Sequence, residues 1–218
     1  MKVLSVNVGM PREVIWNGTP VLTGIFKEPV RGPVRVNRLN LAGDRQADLT
    51  VHGGPAKAVY GYPVEHYEYW QRELPEIRLF WGIFGENLTT EGLSEENLCI
   101  GDRLKIGSAV LAVTQPRMPC YKLELKFGRG DMIKRFAESG RSGFYFSVIK
   151  AGEVSAGSEV EIVSRDANQV TIAELNDLLL GRKHDPGLIQ RTLNVDVLPD
   201  YWRANLVQRL EMKFTADA

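Results

Sequence analysis

From Met1 to about Ser164 the chain is cut into short runs rich in β-branched and aromatic residues, each ended by Gly or Pro, and this segmentation constrains the fold most. The runs are KVLSVNV, GIFKEPV, VRVNRLNL, KAVYGY, LCIGDRLKIG, AVLAVTQ, FYFSVIK and EVEIV. Short strands with frequent turn signals and few long helices between them predict a mainly β fold, a barrel or strongly curved sheet, and disfavour parallel α/β winding. Two helices interrupt the region. Pro63 stands as a first helical residue before VEHYEYWQREL, and DMIKRFAESG opens on Asp131 as a cap and closes on Gly140, which suits a left-handed terminus. Both are expected as peripheral covers on the barrel.

After Ser164 the period changes. Thr171 and Glu174 form a capping-box pattern, Ile172, Leu175 and Leu179 share a face, and Gly181 ends the segment. Asp185-Pro186 opens a second helix, and YWRANLVQRL reads as a third, with Trp202, Leu206 and Leu210 on one face. The expected division is a β-barrel over 1–165 and a small α-helical domain over 166–218.

Lys plus Arg and Asp plus Glu number 27 each, so no net field draws the chain to nucleic acid or an anionic membrane, and neither is expected as a partner. There is no apolar run of about 18 residues, and the N-terminus lacks signal-peptide features, so a cytoplasmic location is expected. Cys99 and Cys120 are too few for a disulfide framework. No Cys/His pair has zinc spacing, and no P-loop or dinucleotide fingerprint occurs.

Gln115-Pro116-Arg117-Met118-Pro119-Cys120-Tyr121 follows the strand AVLAVTQ directly. Its prolines stiffen the loop, and a guanidinium near a thiol favours the thiolate, which binds metals and attacks electrophiles. The alternative is a buried thiol that fills space. Cys99, in LCIGDRLKIG with no adjacent cation, reads as structural.

A second stretch holds Asp44, then His52-Gly53-Gly54 and Lys57. The glycines permit close backbone approach and an anion-binding turn, with His52 and Lys57 as donors; equally, they make a tight turn with a solvated lysine. Glu86 and Asn87, after Gly85, offer paired acceptors and donors for a heterocycle edge, or act as turn formers. Thr23-Gly24-Ile25 before Lys27, and Arg141 before Gly143, each combine a glycine with a cation. His66 and Trp70 share a helix face and read as packing residues.

In order along the chain, Gly43-Asp44-x-Gln46-Ala47-Asp48, His52-Gly53-Gly54-x-x-Lys57-Ala58-Val59, Gly85-Glu86-Asn87, Gly101-Asp102 and Gln115-Pro116-Arg-x-Pro119-Cys120-Tyr121-Lys122-Leu123 resemble the MOSC domain. With the helical tail, the chain is most similar to the YiiM-type branch, which joins that β-barrel to a three-helix domain. Ala56 stands where an acidic residue is common, and Leu22 where a basic one is expected.

The resemblance implies binding of the molybdenum cofactor (molybdopterin), with Cys120 as the molybdenum ligand, and reduction of N-hydroxylated substrates such as 6-N-hydroxylaminopurine to amines. It further implies, for the wider family, pyridoxal phosphate binding. Cofactor contacts are expected from Thr23, Gly24, Ile25, His52, Gly53, Gly54, Lys57, Glu86, Asn87, Gln115, Arg117 and Arg141, and proton delivery from His52 or Asp44. The chain has no flavin, haem or iron–sulfur motif, so an external flavoprotein-type electron donor is implied. A homodimer is compatible with the apolar helix faces. Two other readings keep the same cysteine: a cofactor carrier without turnover, and a persulfide sulfur carrier without metal.

Overall fold

The computed structural model describes residues 1–49 and 52–216, with side chains through 211. Alternation along the strands sets the sheet's faces. In β8 (Arg103–Ile106), Leu104 and Ile106 are buried while Arg103 and Lys105 face solvent, whereas β9 (Ala109–Pro116) is buried along nearly its whole length, as a strand inside a sheet must be. The main sheet has eight strands in the order β12 (Val160–Ser164), β8, β9, β10 (Phe144–Lys150), β6 (Val59–Pro63), β7 (Leu88–Glu91), β1 (Lys2–Val8) and β4 (Glu28–Val30). All pairs are antiparallel except β6 with β7, which are joined by a long crossover.

This sheet is not the closed barrel that the strand pattern predicts. It curls until Lys2 bridges Glu159 and the Val160 amide donates to the Met1 carbonyl, but the ladder stops there. The reason is that the outer edge of β1 is divided. Val6–Val8 pair with β4, and only the first residues of the strand are left for the 157–160 segment. The result is a mixed α/β, strand-rich molecule with C-terminal helices. A small sheet of β5 (Val34–Val36) and β11 (Gly152–Val154) lies apart from the main sheet, as does a hairpin of β2 (Arg12–Trp16) and β3 (Thr19–Thr23). The hairpin turns on Asn17-Gly18, both at positive φ (50° and 77°).

Helix α1 (Glu65–Glu73) starts later than its proline suggests, because Pro63 is the last residue of β6, in register with Thr90. An unexpected helix, α2 (Tyr121–Phe127), begins directly after Cys120. In α3 (Met132–Ser139), Gly140 is left-handed (φ 70°) as expected, but Asp131 does not cap, because its carboxylate is held by Arg129 and Arg135. In α4 (Ile172–Leu179) both halves of the Thr171/Glu174 capping box are formed. Asp185 caps α5 (Pro186–Leu193) by accepting from the Leu188 amide, and α6 (Asp200–Ala216) follows.

One apolar cluster runs without interruption from the sheet into the C-terminal helices, joining Val3, Leu98, Leu111 and Val113 to Ile172, Leu175, Leu188 and Leu206. A second, aromatic cluster under α1–α3 contains Tyr60, Tyr62, Trp70, Phe84, Phe127 and Phe136, with the Trp70 indole donating to the Tyr62 hydroxyl at 2.6 Å. Truncating any one of these rings to alanine typically costs about 3–5 kcal/mol. That rigidity matters because the candidate site is built on the rim of this second cluster. Among the described residues, no helix is long and apolar enough to cross a membrane.

Candidate functional site

Strand β9 delivers Gln115 and Pro116, the loop turns through Arg117-Met118-Pro119, and Cys120 stands in extended backbone (φ −141°) just ahead of α2. Arg117 fixes this loop. It is buried, donates to the Phe84 carbonyl, and lies 5.0 and 5.5 Å from the rings of Tyr60 and Phe136. The loop is thereby tied to the aromatic core, and the half-buried Cys120 thiol is presented at the wall of a cleft.

The Cys120 sulfur is 3.4 Å from Nε2 of His52, and His52 Nδ1 is 3.5 Å from Nζ of Lys122. An ammonium has only donors, so Lys122 favours the tautomer in which Nδ1 accepts and Nε2 carries its hydrogen toward the sulfur. Burial, with the charges of Lys122, Lys57 and Arg117, lowers the His52 pKa to about 4, and the ring is neutral at pH 7.

The cleft, about 630 Å³ including space open to solvent, is lined with cations: Lys27, Arg45, Lys57, Arg117 and Lys122. Among the described residues, no carboxylate belongs to that lining. Asp44 lies behind the wall. One of its oxygens accepts from Lys27 and from the Gly9 amide (2.9 Å), and the other accepts from Asn87 Nδ2 at 3.0 Å. Asn87 in turn accepts from the Tyr60 amide at 3.0 Å, so Asp44, Lys27 and Asn87 lock three chain segments behind the cleft.

The structure brings most of the expected site residues to one place. Thr23, Gly24, Ile25, His52, Lys57, Asn87, Arg117 and Cys120 line the cleft. Gly24 is required by packing, since a Cβ there would stand 2.3 Å from the Arg45 carbonyl oxygen. Gly53 and Gly54 shape the turn after His52 and do not reach the lining; Gly54 has φ 90°, and a Cβ on Gly53 would meet Leu49 at 2.6 Å. Glu86 is buried behind the cleft, with Oε1 accepting from the Gly82 amide, Thr89 and Tyr67.

Arg141 is not part of this site. It donates to the Ser139 carbonyl at 3.0 Å, lies 3.8 Å from the ring centre of Tyr69, and borders another cleft with His66 and Glu95. Gln115 accepts through Oε1 from Tyr201 (2.5 Å) and Trp202 (2.8 Å) of α6, which brings the start of that helix to the cysteine loop. Lys27, the cation expected beside Thr23-Gly24-Ile25, lines the cleft, whereas sequence reasoning missed Arg45 and Lys122 as lining cations, although each lies within a segment singled out above. It had no signal for Trp202. Cys99 is buried, and its amide donates to Asp102 at 3.0 Å, in agreement with a structural role.

A family profile for the MOSC domain matches residues 48–161, about half of the chain, and the YiiM-like 3-alpha helix domain matches residues 170–212. The chain belongs to the YiiM branch of the MOSC family. This MOSC protein is 40% identical over 189 residues to Protein YiiM of Escherichia coli, covering 86% of this chain and 84% of that one. The crystal structure of YiiM from Geobacillus stearothermophilus superposes with a TM-score of 0.80 at 32% identity, covering 96% and 98% of the two chains. A protein of Gibberella moniliformis named Reductase is 34% identical over 168 residues, which cover 76% of this chain but only 30% of the fungal one. The MOSC domain is typically associated with the molybdenum cofactor.

Proposed function

We propose that this protein binds a molybdenum cofactor with Cys120 as the protein's metal ligand, and that it reduces N-hydroxylated compounds, 6-N-hydroxylaminopurine among them, to the corresponding amines. The observation that carries this reading is a single thiol, Cys120, on the wall of a cleft whose lining also holds the cations Lys27, Arg45, Lys57, Arg117 and Lys122. A thiolate suits a redox-active metal, and clustered cations suit a phosphate-bearing ligand, so the donor set fits a pterin with a terminal phosphate.

Within that arrangement Cys120 would hold the metal. Arg45, Lys57 and Lys122 would hold the phosphate, while Gln46 offers an amide for the pterin's polar edge. When bound, the cofactor supplies two-electron reduction with removal of the hydroxylamine oxygen. Overall, R–NHOH takes two electrons and two protons to give R–NH2 and water, and a flavoprotein-type reductase outside this chain is the electron source we assign. Neutral His52 keeps a hydrogen on Nε2 beside the sulfur, which orients the ligand atom. Asp44 has both oxygens occupied by partners, so it acts on the site by holding Lys27 and Asn87.

The test is the molybdenum and pterin content of protein from a cofactor-producing host, comparing wild type, Cys120→Ser and Cys99→Ser. Loss of metal and of N-hydroxylamine reduction in the Cys120 variant alone is the expected result. Equal metal in all three, or a metal-free wild type with a labile extra sulfur on Cys120, would overturn the assignment and favour sulfur transfer.

A further inference from the structure

Cys120 belongs to two clefts at once. Adjoining the cation-lined cleft, a second one of about 550 Å³, including space open to solvent, shares Cys120, His52, Lys57, Met118 and Tyr145 with the first. Its remaining walls are Gln115, Pro116, Pro119 and Trp202. The chemistry of the two sides differs. Beyond the shared residues, the first adds four cations, Lys27, Arg45, Arg117 and Lys122, among neutral side chains, whereas the second adds no charge, only two prolines, an amide and an indole.

We propose that this second cleft is the substrate subsite and that Trp202 determines its specificity, stacking on a planar nitrogen heterocycle whose N–OH group lies at Cys120. The inference rests on the reading that Cys120 carries the metal: a cofactor whose phosphate takes the cationic side leaves the indole side as the approach to the same sulfur. The indole is held for this role. Its Nε1–H donates to Gln115 Oε1 at 2.8 Å, and the Tyr201 hydroxyl donates to the same oxygen at 2.5 Å.

Gln115 Nε2 donates to the Ala56 carbonyl at 3.4 Å, which sets the direction of the amide. Arg203 holds the start of α6 by donating to the Val195 carbonyl at 3.0 Å. With its only polar atom bonded, Trp202 offers the cleft an apolar π surface whose ordering cost is met before any ligand arrives. Flat heteroaromatic rings gain from such a surface, and short aliphatic hydroxylamines gain little.

The experiment titrates cofactor-free protein with adenine, the amine product of a hydroxylaminopurine, by calorimetry, in wild type, Trp202→Ala, Trp202→Leu and Trp202→Phe. Loss of one stacking contact weakens binding on the order of tenfold in the Ala and Leu variants, while Phe retains most of it. The Leu variant keeps apolar volume to anchor α6 if the Ala variant does not fold. In loaded enzyme, KM for 6-N-hydroxylaminopurine should rise by about the same factor with kcat nearly unchanged, and KM for N-methylhydroxylamine should not move.

Absence of adenine binding by wild type, equal affinity in the Leu variant, or a parallel rise of both KM values would overturn the subsite. The titration needs no metal. Metal-replete wild type with adenine affinity indifferent to Trp202 defeats the subsite alone, whereas adenine binding lost with Trp202 in a protein that never takes up molybdenum defeats the enzyme reading alone.

Discussion

Lys27 and Asp44 form an ion pair from which water is almost shut out, with side-chain exposures of 8% and 0%. Burial lowers the Lys27 pKa while the Asp44 charge opposes that shift, so each charge depends on the other. Lys27→Met leaves Asp44 buried without its counter-charge and is expected to cost about 3–5 kcal/mol, measured by urea unfolding. The double variant Lys27→Met/Asp44→Asn should lose clearly less than the sum of the single variants.

Glu86 makes stability depend on pH. Burial raises its carboxyl pKa above the usual 4.5, although hydrogen bonds from Tyr67 and the Gly82 amide oppose this. The folded chain therefore keeps a proton that the unfolded chain releases, and stability falls as pH rises from about 4.5 toward the folded-state value. Glu86→Gln, which resembles the protonated acid, should flatten this slope and melt above wild type at pH 8; a parallel pH profile would contradict the account.

Gln115 ties the start of α6 to the cysteine loop through one oxygen that accepts from Tyr201 and Trp202. Gln115→Leu removes that acceptor at similar volume and should cost about 1–3 kcal/mol. Hydrogen exchange should quicken at residues 200–203 more than in α4, which keeps its capping box.

The two cysteines should react differently. Cys120 is half-buried on the cleft wall, whereas Cys99 is 9% exposed and its thiol pKa is raised by burial and by the Asp102 charge. Native protein treated with iodoacetamide should carry a single label, on Cys120, by peptide mass spectrometry. Labelling of Cys99 at a comparable rate would mean that the fold opens there.

How much of this was legible in the sequence follows from the range of each signal. Capping at Thr171 and Asp185 is local, and the structure forms both caps. The Asn17-Gly18 hairpin was equally readable and was overlooked. Strand β7 hides because Thr89 and Thr90, though fully buried, are polar and give no apolar alternation. Barrel closure could not be read at all, since it depends on how the outer edge of β1 is shared between two partners far apart in the chain.

Within the site, the residues that share a loop or a motif with Cys120 or His52 were readable, because their proximity is covalent. Arg141 was misplaced because a glycine beside a cation says nothing about which cleft the cation faces. Trp202 was read only as part of an apolar helix face, since its contact with Gln115 spans 87 positions.

The apolar cluster that passes from the sheet into α4–α6 also bears on how the chain matures during synthesis. The Leu98 carbonyl waits for the Ile172 amide, and the Ile100 amide for the Val170 carbonyl. A nascent chain halted near residue 165 has made every strand described above yet leaves the apolar surface around Val113 and Leu98 uncovered, so the segment that carries α4–α6 completes the fold. A ribosome-bound chain of that length is an aggregation-prone intermediate, and shuffling this sheet onto another tail would reproduce that intermediate permanently.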